Sequence, residues 1–269
     1  MEYILILKLN NNERSSYEKT GQALAMTLRT LAVLFSFLFL LNPNNLSAQT
    51  DSLQYVLGKF NPATHSQFEE IPASSASRSG MYLRKEALSA FIKMKKAAKE
   101  NNIELKILSA ARNFTAQKGI WEAKWNGTRK VNGQNLKQAI SDPAERAKKI
   151  LKYSSMPGTS RHHWGTDIDI NSLSPTYFAS GKGKKEYDWL CEYAHQFGFC
   201  QVYSVKGKSR PNGYEEEKWH WSYLPIATQL LRFYVENISA ENISGFDGSN
   251  ALPFSETRKY VLGIAEDCK

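Results

Sequence analysis

The sequence predicts a mixed fold in which amphipathic helices and short strands share one core. Over residues 83–100, apolar side chains recur at helical spacing, for example at Ala87, Phe91 and Met94. Directly afterwards, residues 103–108 alternate between apolar and polar side chains, which is typical of a half-buried strand. A hydrophobic content of 42% and an aromatic content of 12% are sufficient for a folded globule.

The rest of the chain continues this mixture. A helix is expected to begin at Pro143, because Asp142 is a suitable N-cap and Glu145 follows at the capping-box position. Gly198 is expected to end a later helix. The patterns together predict helices over residues 83–100, 115–125, 143–153, 186–197, 226–238 and 255–266, and strands over residues 103–108, 165–170 and 199–205.

The first 48 residues have the pattern of a secretory signal peptide. Arg29 precedes an apolar run from Leu31 to Leu41, which is long enough for a signal core and short for a membrane span. Cleavage is expected after Ala48, and synthesis starting at Met26 would make the signal compact. The alternative is an uncleaved membrane anchor. Either interpretation predicts export to the periplasm or the cell envelope.

The chain is basic. It carries 35 Lys and Arg against 26 Asp and Glu, a formal net charge of +9 at pH 7. Such a charge suits an anionic partner, but the basic residues are scattered and no nucleic-acid-binding motif occurs. We therefore expect no nucleic-acid partner. An acidic cell-wall polymer, a membrane surface or solvent alone would suit the same charge.

Export would permit disulfide bonds, so the three cysteines are informative. Cys191 and Cys200 are close enough in sequence to pair, which would leave Cys268 unpaired. Alternatively, Cys191 is a small core residue, because it falls on the apolar stripe of the helix predicted over residues 186–197. Spacing alone does not decide between these two possibilities.

The stretch from Ser160 to Asp169 concentrates groups that bind metal ions. It contains two histidines, His162 and His163, and two aspartates, Asp167 and Asp169. Imidazole and carboxylate groups at this density favour a divalent cation. His162 and Asp169 fit one ligand on a loop and a second ligand on the strand that follows it. His163 is the open alternative to His162.

A second stretch, further along the chain, supplies what the first one lacks. His220 would complete a set of two histidines and one carboxylate, which suits a catalytic zinc that keeps one position for water. Glu217 lies three residues before His220, near enough to take a proton from that water. These residue types predict a hydrolase whose cofactor is Zn²⁺.

Three motifs in consistent order resemble those of the VanY-type D-alanyl-D-alanine carboxypeptidases, of the LAS group of zinc metallopeptidases. They are Ser-x-His-x-x-Gly-x-x-x-Asp from Ser160 to Asp169, Glu-x-Trp-His from Glu217 to His220, and Ser109-Ala110-Ala111-Arg112 followed by Gln117. The likeness spans residues 80–225. It implies an α+β fold, in which helices pack around an antiparallel sheet that bears the zinc site.

The same resemblance implies roles for individual residues. The implied metal ligands are His162, Asp169 and His220. Glu217 would act as the general base and then as the acid. Arg112 would pair with the substrate carboxylate or the developing oxyanion, helped by Ser160, and Gln117 would line the pocket.

The chain departs from the family pattern at two places. Asp167 stands two residues before Asp169, where the family usually has a small residue, and would be either an alternative ligand or a partner of a ligand. Ala110 and Ala111 replace a Gly-Tyr pair, which removes an aromatic ring from the wall near Arg112. Both changes concern substrate recognition more than zinc hydrolysis.

The resemblance therefore implies a zinc D-alanyl-D-alanine carboxypeptidase that acts on peptidoglycan stem peptides. With the signal-peptide pattern we expect it to be secreted, and we expect a monomer. The nearest alternatives are an endopeptidase or an L,D- or D,D-dipeptidase of the same group. A non-catalytic cell-wall-binding module is disfavoured because no ligand or base is missing, and a structural zinc site because such sites usually have four protein ligands. The expected segments are a lead-in over residues 49–79, the peptidase over 80–225 and a packed helical extension over 226–269.

Overall fold

Two antiparallel sheets organise the chain in a computed structural model that describes residues 52–269. The smaller sheet pairs β1 (Phe68–Glu70) with β2 (Tyr82–Arg84). The larger sheet contains β3 (Ile107–Ser109), β4 (Asp167–Ile170), β5 (Phe199–Gln201) and β6 (His220–Tyr223), in the order β3-β4-β6-β5. The predicted signal peptide, residues 1–48, lies outside the described residues.

Helices surround the larger sheet. They are α1 (Lys85–Glu100), α2 (Phe114–Trp125), α3 (Leu136–Ala139), α4 (Pro143–Ile150), α5 (Gly181–Tyr193), α6 (Leu224–Asn237) and α7 (Phe254–Leu262). The predicted start of α4 is confirmed, because the Asp142 side chain accepts a hydrogen bond from the Glu145 backbone N–H. The α+β class is also confirmed. Within residues 52–269, no helix is both long and apolar enough to cross a membrane.

One face of the larger sheet is apolar. Ile168 of β4 lies directly opposite Trp221 of β6, and Ile170 follows Ile168 on the same face. These side chains join Phe199 and residues of α1 and α5 in a buried cluster. Because strand side chains alternate between faces, the intervening residues of β4 and β6 point to the opposite side. That side carries the polar groups described below.

A second apolar core lies around the other helices. It contains Trp121 of α2, Trp164 before β4, Tyr234 of α6 and Val261 of α7. The residues after β6 therefore share a core with α2 and with the segment that leads into β4. A buried arginine, Arg210, adds polar links by donating hydrogen bonds to the backbone oxygens of residues 214 and 263.

The strand predicted over residues 103–108 is shorter than expected. Only Ile107–Ser109 is regular, because the side chain of Asn171 occupies the backbone groups just before it. The Asn171 Oδ1 accepts from the Lys106 N–H at 2.7 Å, and its Nδ2 donates to the Glu104 carbonyl at 2.7 Å. The alternation of apolar side chains correctly predicted that this segment is half-buried. It wrongly predicted that residues 103–106 pair as part of a strand.

The strand predicted over residues 199–205 is also shorter and ends at Gln201. After this point the chain leaves β6 and pairs with the C-terminal segment, where the Ala265 N–H donates to the Val202 carbonyl at 2.8 Å. The partner of these residues lies more than sixty positions away in sequence. The local sequence pattern of residues 199–205 therefore could not predict this pairing.

Both predictions about the cysteines are wrong. The disulfide joins Cys200 to Cys268, and Cys191 is free and exposed. The physical reason is the alternation of faces along β5: Phe199 packs with Leu190 of α5 on the apolar face, so Cys200 points to the opposite side. The C-terminal residues lie on that side, and Cys268 is buried there.

Candidate active site

Three side chains converge on the polar face of the larger sheet. His162, Asp169 and His220 are buried, and one possible ligand atom from each lies within 4.8 Å of the others. The His162 Nε2 is 3.4 Å from the Asp169 Oδ2, and the His220 Nδ1 is 3.3 Å from the Asp169 Oδ1. The predicted ligands are therefore brought together.

Local structure explains this convergence. A 3-10 helix at Arg161–Trp164 presents His162 and ends at Gly165, whose positive φ of 69° turns the chain into β4. Asp169 of β4 lies directly opposite His220 of β6 in the strand register, which places the two side chains on one face. The sheet thus positions two of the candidate ligands, and the preceding turn positions the third.

The protonation of His162 is defined by a backbone carbonyl. Its Nδ1 is 2.8 Å from the Ala110 oxygen, and because a carbonyl only accepts, the Nδ1 carries the hydrogen. The Nε2 lone pair is then free on the side of Asp169. Burial, together with the nearby charge of Arg112, lowers the pKa of His162 and so favours the neutral, ligating form.

His163 points away from this cluster. Its Nδ1 donates to the Arg112 carbonyl at 2.6 Å, and its Nε2 accepts from the Gly158 N–H at 3.0 Å. Burial lowers the pKa of His163 to about 3, so the ring is neutral. Gly58, with φ of 74°, packs against the ring so closely that a Cβ would lie 2.4 Å from the Nδ1. Both ring nitrogens are hydrogen-bonded to backbone groups, so His163 is not a metal-binding candidate.

Asp167 is hydrogen-bonded to one of the candidate ligands, His220. Its Oδ1 accepts from the His220 Nε2 at 2.9 Å and from the Arg161 Nε at 3.0 Å. Its Oδ2 accepts from the hydroxyls of Thr166 and Ser222 at 2.6 and 2.9 Å. Burial alone would raise the pKa of Asp167, but Arg161 and His220 hold it well below its usual range. The carboxylate is ionised and orients His220 so that its Nδ1 faces Asp169.

The donor set fits a divalent metal ion. The Asp169 Oδ1 is buried and has no hydrogen-bond partner, although the His220 Nδ1 lies 3.3 Å from it. Two nitrogens and one carboxylate match the ligands of catalytic zinc.

Glu217 lies beside this set. Its Oε2 is 3.3 Å from the His220 Nδ1, and its own N–H donates to the Tyr203 carbonyl at 2.9 Å. Burial raises the pKa of Glu217, although its contact with His220 opposes this rise. A carboxyl with a raised pKa exchanges protons more readily near neutral pH than an exposed one. The predicted base therefore lies within reach of the metal-binding atoms.

A cavity of about 700 Å³ opens onto the cluster. Arg112, Ser160 and Gln117 all line it, and each has a buried polar atom without a hydrogen-bond partner: the Arg112 Nε, the Ser160 Oγ and the Gln117 Oε1. The Arg112 Nη1 donates to the Ser109 Oγ at 3.2 Å, and the Gln117 Nε2 donates to the Ser155 carbonyl at 2.7 Å. Unpartnered groups at a cavity wall are suited to a ligand.

Tyr203 and Lys124 are among the residues of the cavity wall that the sequence analysis did not predict. The Tyr203 ring meets the His220 ring edge-on, with centroids 4.7 Å apart. Lys124 also lines the cavity, and its Nζ donates to the Ser154 hydroxyl. A signal for Lys124 was present, because it follows Gln117 by seven residues and so shares its face of α2. Tyr203 lies in an irregular loop and had no such signal.

Comparison with known proteins assigns the domain. The family model of the VanY D-alanyl-D-alanine carboxypeptidases matches residues 80–226. YodJ of Bacillus subtilis (strain 168), whose name assigns it to the carboxypeptidases, is 29% identical over 197 residues, 68% of this chain and 61% of YodJ. A D-alanyl-D-alanine carboxypeptidase of Enterococcus faecalis (strain ATCC 700802 / V583) is 35% identical over 72 residues, 27% of this chain and 25% of that protein. The chain thus spans less than two thirds of either relative.

Comparison with solved structures finds two peptidases among the similar chains. The LdcB LD-carboxypeptidase is 22% identical, with a TM-score of 0.48, and the match covers 74% of this chain and 80% of LdcB. The VanY D,D-pentapeptidase of a VanB-type resistance cassette, in complex with Zn(II), is 24% identical, with a TM-score of 0.44 over 61% of this chain and 93% of that one. Because the family model covers more than half of the sequence, the chain belongs to the VanY D-alanyl-D-alanine carboxypeptidase family.

Proposed function

We propose that this protein is a zinc-dependent D-alanyl-D-alanine carboxypeptidase that removes the terminal D-Ala from peptidoglycan stem peptides. The observation that carries the proposal is a buried glutamate, Glu217, placed 3.3 Å from the free nitrogen of a metal-binding histidine at the end of a cavity. The metal would be held by the His162 Nε2, the Asp169 carboxylate and the His220 Nδ1. When bound, zinc lowers the pKa of water and polarises a carbonyl group.

Glu217 carries out the proton transfers in this mechanism. Its carboxylate accepts a proton from the water that attacks the scissile carbonyl, and the resulting acid then donates a proton to the departing amine of D-Ala. Burial raises the pKa of Glu217, which helps the same group to act first as base and then as acid. The Asp167 carboxylate accepts a hydrogen bond from the His220 Nε2. This bond fixes the ring of His220 so that its Nδ1 is directed at the metal position.

Arg112 and Ser160 would bind the end of the substrate. The Arg112 guanidinium lines the cavity with its Nε unpartnered, and it is a planar donor suited to a carboxylate or a tetrahedral oxyanion. The Ser160 hydroxyl also lies in the cavity wall, where it is buried and unpartnered. A substrate that ends one residue after the scissile bond carries its free carboxylate close to the reacting carbonyl. This arrangement favours a carboxypeptidase over an endopeptidase.

We also propose that the protein acts outside the cytoplasm, after export directed by the segment over residues 1–48. The disulfide between Cys200 and Cys268 supports this location, because structural disulfides form and persist in oxidising compartments. The substrate would then be reached in the cell envelope.

The proposal is tested by the masses of reaction products. The purified, zinc-loaded protein is incubated with stem pentapeptides ending in D-Ala-D-Ala and with tetrapeptides ending in a single D-Ala. We expect loss of one alanine from the pentapeptide only, and close to one zinc per chain by elemental analysis. Loss of alanine from the tetrapeptide alone would assign an L,D-carboxypeptidase, release of the D-Ala-D-Ala dipeptide would assign a dipeptidase, and unchanged masses would favour a binding module.

A further inference from the structure

The cavity wall carries an excess of positive charge. Besides Arg112, and Arg161, which pairs with Asp167, six basic residues line it: Arg78, Lys124, Arg129, Lys130, Lys149 and Lys152. The only acidic residues in the lining are Asp169 and Glu217, and both belong to the catalytic cluster. Within the described part of the chain, none of the six pairs with a carboxylate at 4.0 Å or less. The cavity therefore has cations without counterions.

Basic residues elsewhere on the surface are often neutralised. Lys148 pairs with Glu145 at 2.8 Å, and Lys184 pairs with Asp188 at 2.6 Å. Lys149 is adjacent to Lys148 in sequence but lies in the cavity wall without such a partner. What distinguishes the cavity is the gathering of several such unpaired cations on one concave wall, where a bound anionic ligand could supply the missing carboxylates.

Lys124 is a partly buried member of this set. It lies on α2 two turns after Gln117, and its Nζ donates to the hydroxyl of Ser154. Burial and the charges of Arg129 and Arg112 lower its pKa to about 8, while Glu217 opposes the shift. Burial and the neighbouring positive charges both destabilise the Lys124 ammonium group. A bound anion would therefore stabilise it.

We propose that Lys124 and Arg129 form a binding site for a second carboxylate of the substrate, on a residue that precedes the scissile bond. This inference rests on the proposed function. The residue that a carboxypeptidase releases carries one carboxylate, which is assigned to Arg112, so a second carboxylate must belong to the acyl part of the peptide. The site therefore selects stem peptides with a free carboxylate before the D-Ala-D-Ala end, and it disfavours peptides in which that group is an amide.

The test uses pairs of peptides that end in D-Ala-D-Ala and differ only in Glu or Gln at the first or second position before that end. With the zinc-loaded full chain, we expect kcat/KM to be about tenfold higher for the Glu peptide at one of these positions, as for one charge-assisted contact. Lys124→Gln should bring this ratio close to one through KM and leave the Gln peptide almost unaffected. Lys124→Arg, which keeps the charge, should preserve the ratio.

Lys96→Gln is the matched control, because Lys96 is exposed on α1 and lies outside the cavity. It removes the same charge and should leave the ratio unchanged. Equal loss of activity on both peptides in Lys124→Gln, with a lowered melting temperature, would show a structural role and overturn the site. Hydrolysis of Glu and Gln peptides at equal rates by the unmodified protein would also overturn it, while the proposed function would stand. Absence of any hydrolysis would overturn the proposed function itself.

Discussion

The two faces of the larger sheet are built from neighbouring residues but have opposite properties. On one face, Ile168 and Trp221 lie opposite each other in a closed apolar core. On the other face, the next pair in the ladder, Asp169 and His220, lies beside a cavity. The first face stabilises the fold by burying apolar surface, whereas the second holds charged groups out of water at a cost to stability.

Because side chains alternate between the two faces of the sheet, the residues that stabilise the fold and the residues that form the candidate site lie on opposite faces. Asp167 is informative because it lies on the polar face and yet has all of its hydrogen bonds satisfied within the protein. Its neighbour Asp169 retains an unpartnered oxygen. Substitutions on the two faces should therefore change different measurements.

The largest effect is expected for the base. Glu217→Gln should lower kcat on a D-Ala-D-Ala pentapeptide by about 10²–10⁴-fold, the usual contribution of a positioned acid-base group. The zinc content should stay near one per chain, and the melting temperature should be equal or higher, because an ionised group is no longer buried.

Glu216→Gln is the control for this change, since Glu216 is adjacent and lies outside the cavity lining. It should have almost the same kcat as the unmodified protein. Loss of zinc from Glu217→Gln would mean that Glu217 is a ligand and not the base.

The apolar face should respond in stability instead. Ile168→Ala leaves a cavity in a fully buried position, so it should lower the free energy of unfolding by about 2–5 kcal/mol, measured by urea denaturation. At temperatures well below melting, kcat should change little. Ile92→Ala, at a position 40% exposed on α1, should cost less than about 1 kcal/mol. A collapse of kcat in folded Ile168→Ala would show that the two faces are not separable.

A smaller effect is expected where the polar face supports a ligand. Asp167→Asn preserves the shape of the side chain but removes the charge that faces the His220 Nε2. We expect zinc affinity to fall by about 10–100-fold in competition with a chromophoric chelator. Ser222→Ala removes only one hydrogen bond to the far oxygen of Asp167 and should weaken affinity less. Unchanged zinc affinity in Asp167→Asn would contradict the orienting role.

The smallest effect concerns pH. Burial, with Arg129 and Arg112 nearby and Glu217 in opposition, lowers the pKa of Lys124 to about 8, so its ammonium is charged below that pH and neutral above it. The preference for the Glu peptide over the Gln peptide, as a ratio of kcat/KM, should therefore decline by up to about tenfold as pH rises through 8. In Lys124→Arg the preference should persist at high pH. A decline of the same size in Lys124→Arg would assign it to another group.

Much of the local structure was predictable because it depends on neighbours in sequence. The apolar stripe of α1, the Asp142 cap of α4 and the alternation in β4 are short-range patterns, and the structure agrees with each. The motif spacing also predicted two of the candidate ligands. His162 lies on a turn, and Asp169 lies on the strand that follows it.

The sequence by itself thus determined most of the helices, the alternating faces of β4 and the residue types at the site, but not the helix α3 or the strands β1 and β2. Only the tertiary structure decided that His163 serves the backbone and that Asp167 orients His220, because those outcomes depend on hydrogen-bond partners more than fifty residues apart in sequence. The same holds for the Cys200–Cys268 disulfide and for Lys124, whose neighbours come from separate segments. Short-range patterns set which side of an element a residue faces, and long-range packing sets what it meets there.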